Sequence, residues 1–293
     1  MNILIIGGHG YIGSALTKYF HDKNISAIPI GKRDDDYNNL SPEFLNQFTH
    51  IILLAGHSSV QMCIGDLSSP WNNNVRNFDN LLKKINPSIP VIYASSSSVY
   101  GNRNEKIYVE SDTSFDYVNN YDLTKSALDL LAIKHMAEGR YITGLRFGTV
   151  NGVSSTLRID LMINSMVWSS YLRRQVFISN KEINRPILGI NDLCNAVNAI
   201  VVDKPSSGIY NLSSFNTTVE DVAKKVCTIT DAQLVDLGST SHPYNFSINS
   251  DKFKYRYNFQ FLETEEEIIL NLINNIRQDK CNPVKRDSYF KYD

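Results

Sequence analysis

Ile3-Leu4-Ile5-Ile6-Gly7-Gly8-His9-Gly10-Tyr11-Ile12-Gly13 is the stretch whose reading settles the architecture of this chain. Four apolar residues in succession read as a strand buried on both faces. The glycines that follow have the spacing Gly-x-x-Gly-x-x-Gly, and residues 11–22 then carry a helical pattern. Strand, glycine loop and helix in that order make a phosphate cradle. A Cβ at Gly7 or Gly10 would collide with a pyrophosphate, while Gly13 lets the helix press on the strand. The helix start adds free N–H groups and a partial positive charge. Dinucleotide binding is expected, with Gly7, Gly10, Tyr11, Ile12 and Gly13 around the cofactor.

Outward from that loop, short apolar runs at 25–30, 51–55, 89–94 and 141–147 alternate with helical patterns at 71–85 and 121–137. Apolar strands separated by helices predict a parallel sheet covered on both faces, an α/β doubly wound, Rossmann-like fold. The second half predicts helices at 159–173, 191–202, 217–227 and 263–277 and strands at 186–189 and 209–212. No Pro/Gly/Ser linker separates the halves. The expected division is a dinucleotide-binding domain of 1–148 plus about 181–203. A smaller, interleaved C-terminal substrate lobe of 149–180 plus 204–293 would cover the carboxyl edge of the sheet, where ligands of open parallel sheets bind.

Composition excludes several classes. The 293 residues are 42% hydrophobic and 20% charged, as in a globular protein rather than a disordered or fibrous one. A net charge of −1 gives no bulk grip on nucleic acid or an anionic membrane. No apolar run reaches the roughly 18 residues of a membrane span. The apolar stretch after Met1-Asn2 is too short for a signal-peptide core and has no basic flank. Cys63, Cys194, Cys227 and Cys281 are dispersed, so neither a metal site nor a disulfide framework is expected, and free thiols suit a cytoplasmic protein.

The end of the second strand bears on the choice of dinucleotide. An acid there would hold the ribose 2′-OH of NAD. Here the strand runs into Gly31-Lys32-Arg33, with Asp34, Asp35 and Asp36 behind. Arg33 could fork onto a 2′-phosphate with Lys32 as a point charge, which favours NADP over NAD. One of the three aspartates could still reach back.

Asn120-Tyr121-Asp122-Leu123-Thr124-Lys125 opens the helix at 121–137, and Tyr121 and Lys125 share one face. Ser95-Ser96-Ser97-Ser98-Val99-Tyr100-Gly101 follows the fourth sheet strand. The fold therefore brings a hydroxyl, a phenol and an ammonium to one edge. Hydride transfer at a carbinol carbon also requires moving the proton on its oxygen, and a phenol does this well only if its pKa falls from about 10. An ammonium about 4 Å away contributes roughly 4 kcal/mol at an effective dielectric of 20, about 3 pKa units. Ser96 would hydrogen-bond the same substrate oxygen.

At these residues the chain resembles the extended short-chain dehydrogenase/reductases, and within them the NAD-dependent epimerase/dehydratase family that acts on nucleotide sugars. The resemblance takes in Gly7–Gly13, Ala55-Gly56-His57-Ser58-Ser59-Val60, Asn73-Asn74-Val75, Ser95–Gly101, Tyr121/Lys125, Leu145–Gly152 and Arg185–Leu193. It implies Ser96, Tyr121 and Lys125 as the catalytic set, with Lys125 also on the nicotinamide ribose. Ala55, Gly56 and Asn74 would border the cofactor, and Arg185 would grip the substrate's diphosphate. Arg158, Ser97 and Thr149 are further substrate contacts. The family's 4,6-dehydratases place Asp-Glu directly after the catalytic Ser/Thr. This chain has Ser97 and Ser98 there, which argues against dehydration. Cys63 and His57 lie near the site in this alignment, either as a second acid/base or as packed side chains.

The expected activity is NAD(P)-dependent hydride transfer at a ring carbon of a nucleotide-linked sugar. A 4-keto-sugar reductase is the leading form, because Lys32 and Arg33 suggest exchangeable NADPH. A 4-epimerase with tightly held NAD is the alternative. A cofactor-binding regulator and a reductase of steroid-like or phenolic ketones are rivals on the same fold. The helices at 71–85 and 121–137 could pair across a two-fold axis, so a homodimer is expected.

Overall fold

The structure is a computed structural model that describes every residue except 32, 33, 35, 102–106, 113–116, 118, 240–243, 279, 281 and 285–293. The main strands are β1 (Asn2–Ile6), β2 (Ser26–Ile30), β3 (His50–Leu53), β4 (Val91–Ser96), β5 (Ile142–Phe147), β6 (Thr149–Asn151), β7 (Asn184–Gly189), β8 (Gly208–Leu212) and β9 (Phe215–Thr218). The main helices are α1 (Tyr11–Asp22), α2 (Asn77–Lys84), α3 (Asn120–Ala137), α4 (Met162–Arg173), α5 (Ile190–Val202), α6 (Val219–Thr230) and α7 (Glu265–Arg277).

A six-stranded sheet, all parallel, has the order β8-β5-β4-β3-β1-β2. The crossovers reverse direction between β1 and β3, so the carboxyl ends of those strands open a crevice. Period-2 alternation divides β1 between two cores. Ile3 and Ile5 pack with Leu16 and Phe20 of α1 and with Leu193 and Val197 of α5. Leu4 and Ile6 pack with Phe78, Leu81 and Leu82 of α2 and with Leu128 and Ala132 of α3. That two-sided burial is why β1 reads as an unbroken apolar run. This is the doubly wound α/β architecture expected from the sequence.

The first core does not stop at the sheet. It runs through Val150, Leu157 and Ile163 into α6 and α7, so the lobes share one apolar interior. Two segments lie on the other side of the division drawn from sequence. β8, assigned to the substrate lobe, is the edge strand beside β5. β7, assigned to the dinucleotide domain, pairs instead with β6 and β9 in a separate three-stranded sheet. A third, small cluster of Val99, Tyr100, Tyr108, Phe246 and Ile248 draws together residues from just beyond β4 and from the C-terminal segment.

The long elements match their sequence periodicity, but the short ones had no signal. Strands of three or four residues at 149–151, 156–158, 175–178, 215–218 and 233–236 are too brief to show a period. α4 begins at Met162 rather than 159, because Asn151 Oδ1 accepts the Ile163 N–H at 2.9 Å. That cap lies twelve residues away in sequence. The helix expected at 71–85 is helical from Ser68, with a wide π turn at Asn72–Arg76.

Candidate active site

The glycine loop needs its glycines for reasons that differ from position to position. Gly7 has φ +91°, and a Cβ there would meet Ala55 N at 2.6 Å and the Leu54 carbonyl carbon at 2.9 Å. The protein's own backbone, not a pyrophosphate, excludes a side chain at Gly7, contrary to the steric argument from sequence. A Cβ on Gly13 would lie 2.2 Å from the Gly7 carbonyl oxygen, so α1 presses on the loop itself. Gly10 is different. Its Cβ would meet only the Gly7 oxygen, at 3.2 Å, and Gly10 begins α1 with no side-chain cap. That is the opening a phosphate group requires, and the residues present fit a dinucleotide. Gly13→Ala should therefore destabilise the fold by about 1–3 kcal/mol through overpacking. Gly10→Ala should leave the urea midpoint nearly unchanged and weaken dinucleotide affinity at least about tenfold.

The Tyr11 side chain does not point into that cradle. Its hydroxyl donates to the Gly152 carbonyl at 2.8 Å and accepts from Asn164 Nδ2 at 3.1 Å, and burial drives its pKa upward. Tyr11 binds α1 to the 149–164 segment, which leaves its main chain to face a cofactor. Ile12 is half-buried in the first turn of α1 and packs against the large core.

Lys32 and Arg33 lie outside the described residues, as does Asp35. The neighbouring Asp34 does reach back to the end of β2. Its Oδ2 accepts the Gly31 N–H at 2.8 Å and lies 2.7 Å from His9 Nε2 in the glycine loop. Of the three aspartates behind Lys32 and Arg33, Asp34 thus reaches back, the alternative the sequence left open.

β4 and α3 bring Ser96, Tyr121 and Lys125 to the same edge of the sheet. β4 ends at Ser96, and α3 starts at Asn120 with Asn119 as its N-cap. The Ser96 hydroxyl sits beside the Tyr121 phenol, close enough to favour its ionised form, and lies 2.9 Å from Ser98 Oγ. Lys125 donates to the Ala94 carbonyl at 2.7 Å, and its Nζ sits 5.8 Å from the Tyr121 ring centre. The electrostatics run against the sequence argument. Burial pushes Tyr121 up to about 12, opposed by the neighbouring Ser96 hydroxyl and by the charge of Arg158. Burial also pulls Lys125 down to about 8, against the Asp129 carboxylate. Desolvation of the phenolate outweighs the neighbouring charges, so the polypeptide alone does not make this phenol acidic. The Lys125 ammonium loses its proton as pH rises through about 8. Dinucleotide affinity followed by calorimetry should fall across that range, and a flat profile would remove Lys125 from the cofactor site.

The expected substrate contacts separate into two kinds. Arg185 on β7 is largely buried, which lowers its pKa, and no ion pair to it is seen among the described residues. Its guanidinium lies 5.9 Å from the Tyr244 ring centre. It is thus a desolvated cation, suited to an anionic ligand. Arg158 is already forked onto Asp160, through Nε at 3.0 Å and Nη2 at 2.5 Å, though its charge still reaches Tyr121. Thr149 pairs with Ile187 two residues beyond Arg185, and Ser97 is buried in the turn after β4.

Asn74 acts on the protein. Its Oδ1 accepts the His57 N–H at 2.8 Å, and its Nδ2 donates to the His57 carbonyl and to Thr124 Oγ1. A Cβ on Gly56 would strike Asn74 Oδ1 at 2.4 Å. Asn74 therefore shapes the Ala55-Gly56-His57 loop that borders the cradle. Cys63 is buried, with its thiol pushed up to about 11 by desolvation despite nearby Lys125. His57 stands next to Asn73, whose Nδ2 is 3.2 Å from His57 Nδ1.

Sequence reasoning missed two polar groups behind the site. Asp129, one turn beyond Lys125, accepts Arg146 Nε at 2.8 Å and the Tyr93 hydroxyl at 2.8 Å. Asp122 accepts the Tyr244 hydroxyl at 2.7 Å and Asn119 Nδ2 at 3.1 Å. The available signal is a pair of acids two helical turns apart, at 122 and 129, in the helix that carries Tyr121 and Lys125. Among the described residues no group of three His, Cys, Asp or Glu stands close enough to hold a metal, and no helix is long and apolar enough to cross a membrane.

Comparison with known proteins agrees with this geometry. A model of the NAD dependent epimerase/dehydratase family matches residues 3–213. UDP-glucuronate 4-epimerase 4 of Arabidopsis thaliana is 37% identical over 110 residues, which span 36% of this chain and 25% of that protein. The chain thus spans about a quarter of the length of that relative. Protein CapI of Staphylococcus aureus is 27% identical over 242 residues, 71% of each chain. Among solved structures, MoeE5 in complex with UDP-glucuronic acid and NAD superposes with a TM-score of 0.84 at 20% identity, over 95% of this chain and 100% of that one. UDP-glucose 4-epimerase of Thermotoga maritima superposes with a TM-score of 0.82 at 19% identity, over 95% and 99%. Both superpositions show the shared fold. The matched span holds the glycine loop, the Ser96–Tyr121–Lys125 set and Arg185, and the chain belongs to the NAD-dependent epimerase/dehydratase family of enzymes.

Proposed function

We propose that this chain is a nucleotide-sugar 4-epimerase that uses NAD. The placement of the Ser96 hydroxyl, at the end of β4, beside the Tyr121 phenol, at the start of α3, carries the reading. One phenol sits beside hydroxyls, and the positions directly after Ser96 offer no carboxylate for removing water. Such a set handles one proton at one carbinol oxygen, as oxidation and return of hydride at a single carbon require. A bound nicotinamide dinucleotide supplies the hydride acceptor and donor. Gly10 and the start of α1 would hold its phosphates, and Lys125 its nicotinamide ribose. Tyr121 would take and return the sugar's hydroxyl proton with Ser96 hydrogen-bonded to the same oxygen. Arg185 would pair with the diphosphate.

Two observations move the reading from the reductase to the epimerase. The similarity to UDP-glucuronate 4-epimerases is one. The other is Asp34, whose carboxylate at the end of β2 would accept a ribose 2′-OH and repel a 2′-phosphate. UDP-glucuronate is the substrate to try first, given the similarity to UDP-glucuronate 4-epimerases. Incubation with UDP-glucuronate and NAD should yield the C4 epimer by NMR, with no net change in NADH absorbance. Stoichiometric NADPH consumption with a 4-keto-sugar, and no epimer, would overturn the epimerase in favour of the reductase. Asp34→Ser should narrow the preference for NAD over NADP by about tenfold or more, read as the ratio of the two affinities.

A homodimer belongs to the same proposal. Leu130 and Ile133 are exposed on one face of α3, and Ile64 is 65% exposed in the loop beside the start of that helix. A second copy would cover them. A monomer by light scattering would end this part.

A further inference from the structure

The Tyr244 side chain contacts both ends of the candidate site. Its ring lies beneath the Arg185 guanidinium, 5.9 Å from ring centre to Cζ. Its hydroxyl donates to Asp122 Oδ2 at 2.7 Å and is also in contact with Asn119 Nδ2. Asp122 is fully buried and directly follows Tyr121 in α3. The segment around Tyr244 is anchored independently of this contact. Asn245 Oδ1 accepts the Asn184 N–H at 2.8 Å, Phe246 N donates to the Asn184 carbonyl, and Phe246 packs edge-on to Tyr108. Tyr244 is thus held in place by β7 and the small aromatic core, and spends its polar tip on α3.

We propose that Tyr244 and Asp122 form a positioning couple that joins the anion-holding end of the site, at Arg185, to its proton-transfer end, at Tyr121. The couple rests on the epimerase reading only for the identity of the reaction. A buried carboxylate beside the phenol opposes formation of phenolate, and the Asp122 charge acts on Tyr121 in that direction. The hydrogen bond from Tyr244 partly neutralises that carboxylate. The other groups facing Tyr121 are Ser96 from the end of β4, Cys63 from the loop before α2, Arg158 from the segment before α4, Lys125 one turn along α3 and Tyr244 itself. Of these, Tyr244 is the one that also contacts Arg185. A diphosphate that draws on Arg185 changes the cation resting on the Tyr244 ring, and the same side chain holds the carboxylate next to the catalytic phenol.

Three variants separate the two halves. Asp122→Asn removes the charge, so the limb of the kcat–pH profile that reports Tyr121 should move to lower pH. Tyr244→Phe keeps the ring and loses the hydroxyl, so that limb should move to higher pH, with UDP affinity within about twofold of the parent. Tyr244→Ala also loses the ring and should weaken UDP binding by about tenfold in calorimetry. A merely structural role would not move that limb in opposite directions in the two variants. The couple is refuted if Asp122→Asn and Tyr244→Phe both leave the limb in place, or if Tyr244→Ala binds UDP as the parent does. Should the parent turn over no nucleotide sugar, the epimerase reading falls, and the UDP series alone decides for or against the link to Arg185.

Discussion

Tyr121→Phe is expected to lower kcat by about 10²–10⁴-fold, the usual worth of a positioned general acid/base, while dinucleotide and UDP affinities stay near those of the parent. The fold sets the phenol beside the Ser96 hydroxyl at the carboxyl edge of the sheet. Phenylalanine keeps the ring and its packing on α3, so the loss falls on chemistry and not on binding. The pH dependence carries further information. Tyr121 is pushed up to about 12 and Lys125 down to about 8 in the polypeptide alone. An activity limb near neutral pH that Tyr121→Phe abolishes would mean that the complete site, with a positively charged oxidised nicotinamide, supplies the acidification that the protein withholds. Unchanged turnover in Tyr121→Phe would dismiss the phenol from the mechanism.

Asp129→Ala is expected to cost about 3–5 kcal/mol of stability, because removing one partner leaves a buried charge unpaired. Asp129 and Arg146 have side chains only 4% and 7% exposed, and their 2.8 Å contact lies inside the sheet–helix interface. Arg146 also donates to the Tyr100 hydroxyl at 2.9 Å and to the Glu110 carbonyl, and the Tyr100 hydroxyl donates to Asn211 Oδ1 at 2.6 Å. Loss of the carboxylate thus frees the Tyr93 hydroxyl and leaves a guanidinium with neutral partners only. Urea denaturation should show the midpoint fall with the slope unchanged. Combining Asp129→Leu, Arg146→Met and Tyr93→Phe should recover much of the loss, since the double removal deletes both charges. A second effect separates this account from simple cavity formation. Asp129 raises the Lys125 pKa against burial. In Asp129→Ala the ammonium should therefore lose its proton at still lower pH, and dinucleotide affinity near neutrality should weaken with it.

The dividing line between what was legible and what was not follows the range of each interaction. β1, the glycine loop and α1 were readable because a two-sided strand and an amphipathic helix write their periods into consecutive residues. Tyr121 and Lys125 were readable because a spacing of four fixes a common helix face. The three- and four-residue strands left no period, and the start of α4 depends on Asn151, whose amide reaches it only after the chain has folded. Lys32 and Arg33 drew attention to a 2′-phosphate, yet the described geometry there belongs to Asp34, which turns back onto Gly31 and His9.

The order of elements, the placement of a serine, a phenol and an ammonium on one sheet edge, and the need for a glycine at the start of α1 were all set by local pattern. The tertiary structure decided the rest. Arg158 finds its carboxylate two residues along the chain, at Asp160, whereas the tertiary structure left Arg185 half-buried against an aromatic ring, so the two arginines have different tasks. It assigned Gly7 to the protein's own backbone and left Gly10 open to a phosphate. It set the proton affinity of Tyr121 by burial rather than by its lysine neighbour. Desolvation depends on groups distant in the chain that meet only in the folded state, and no spacing rule carries that information.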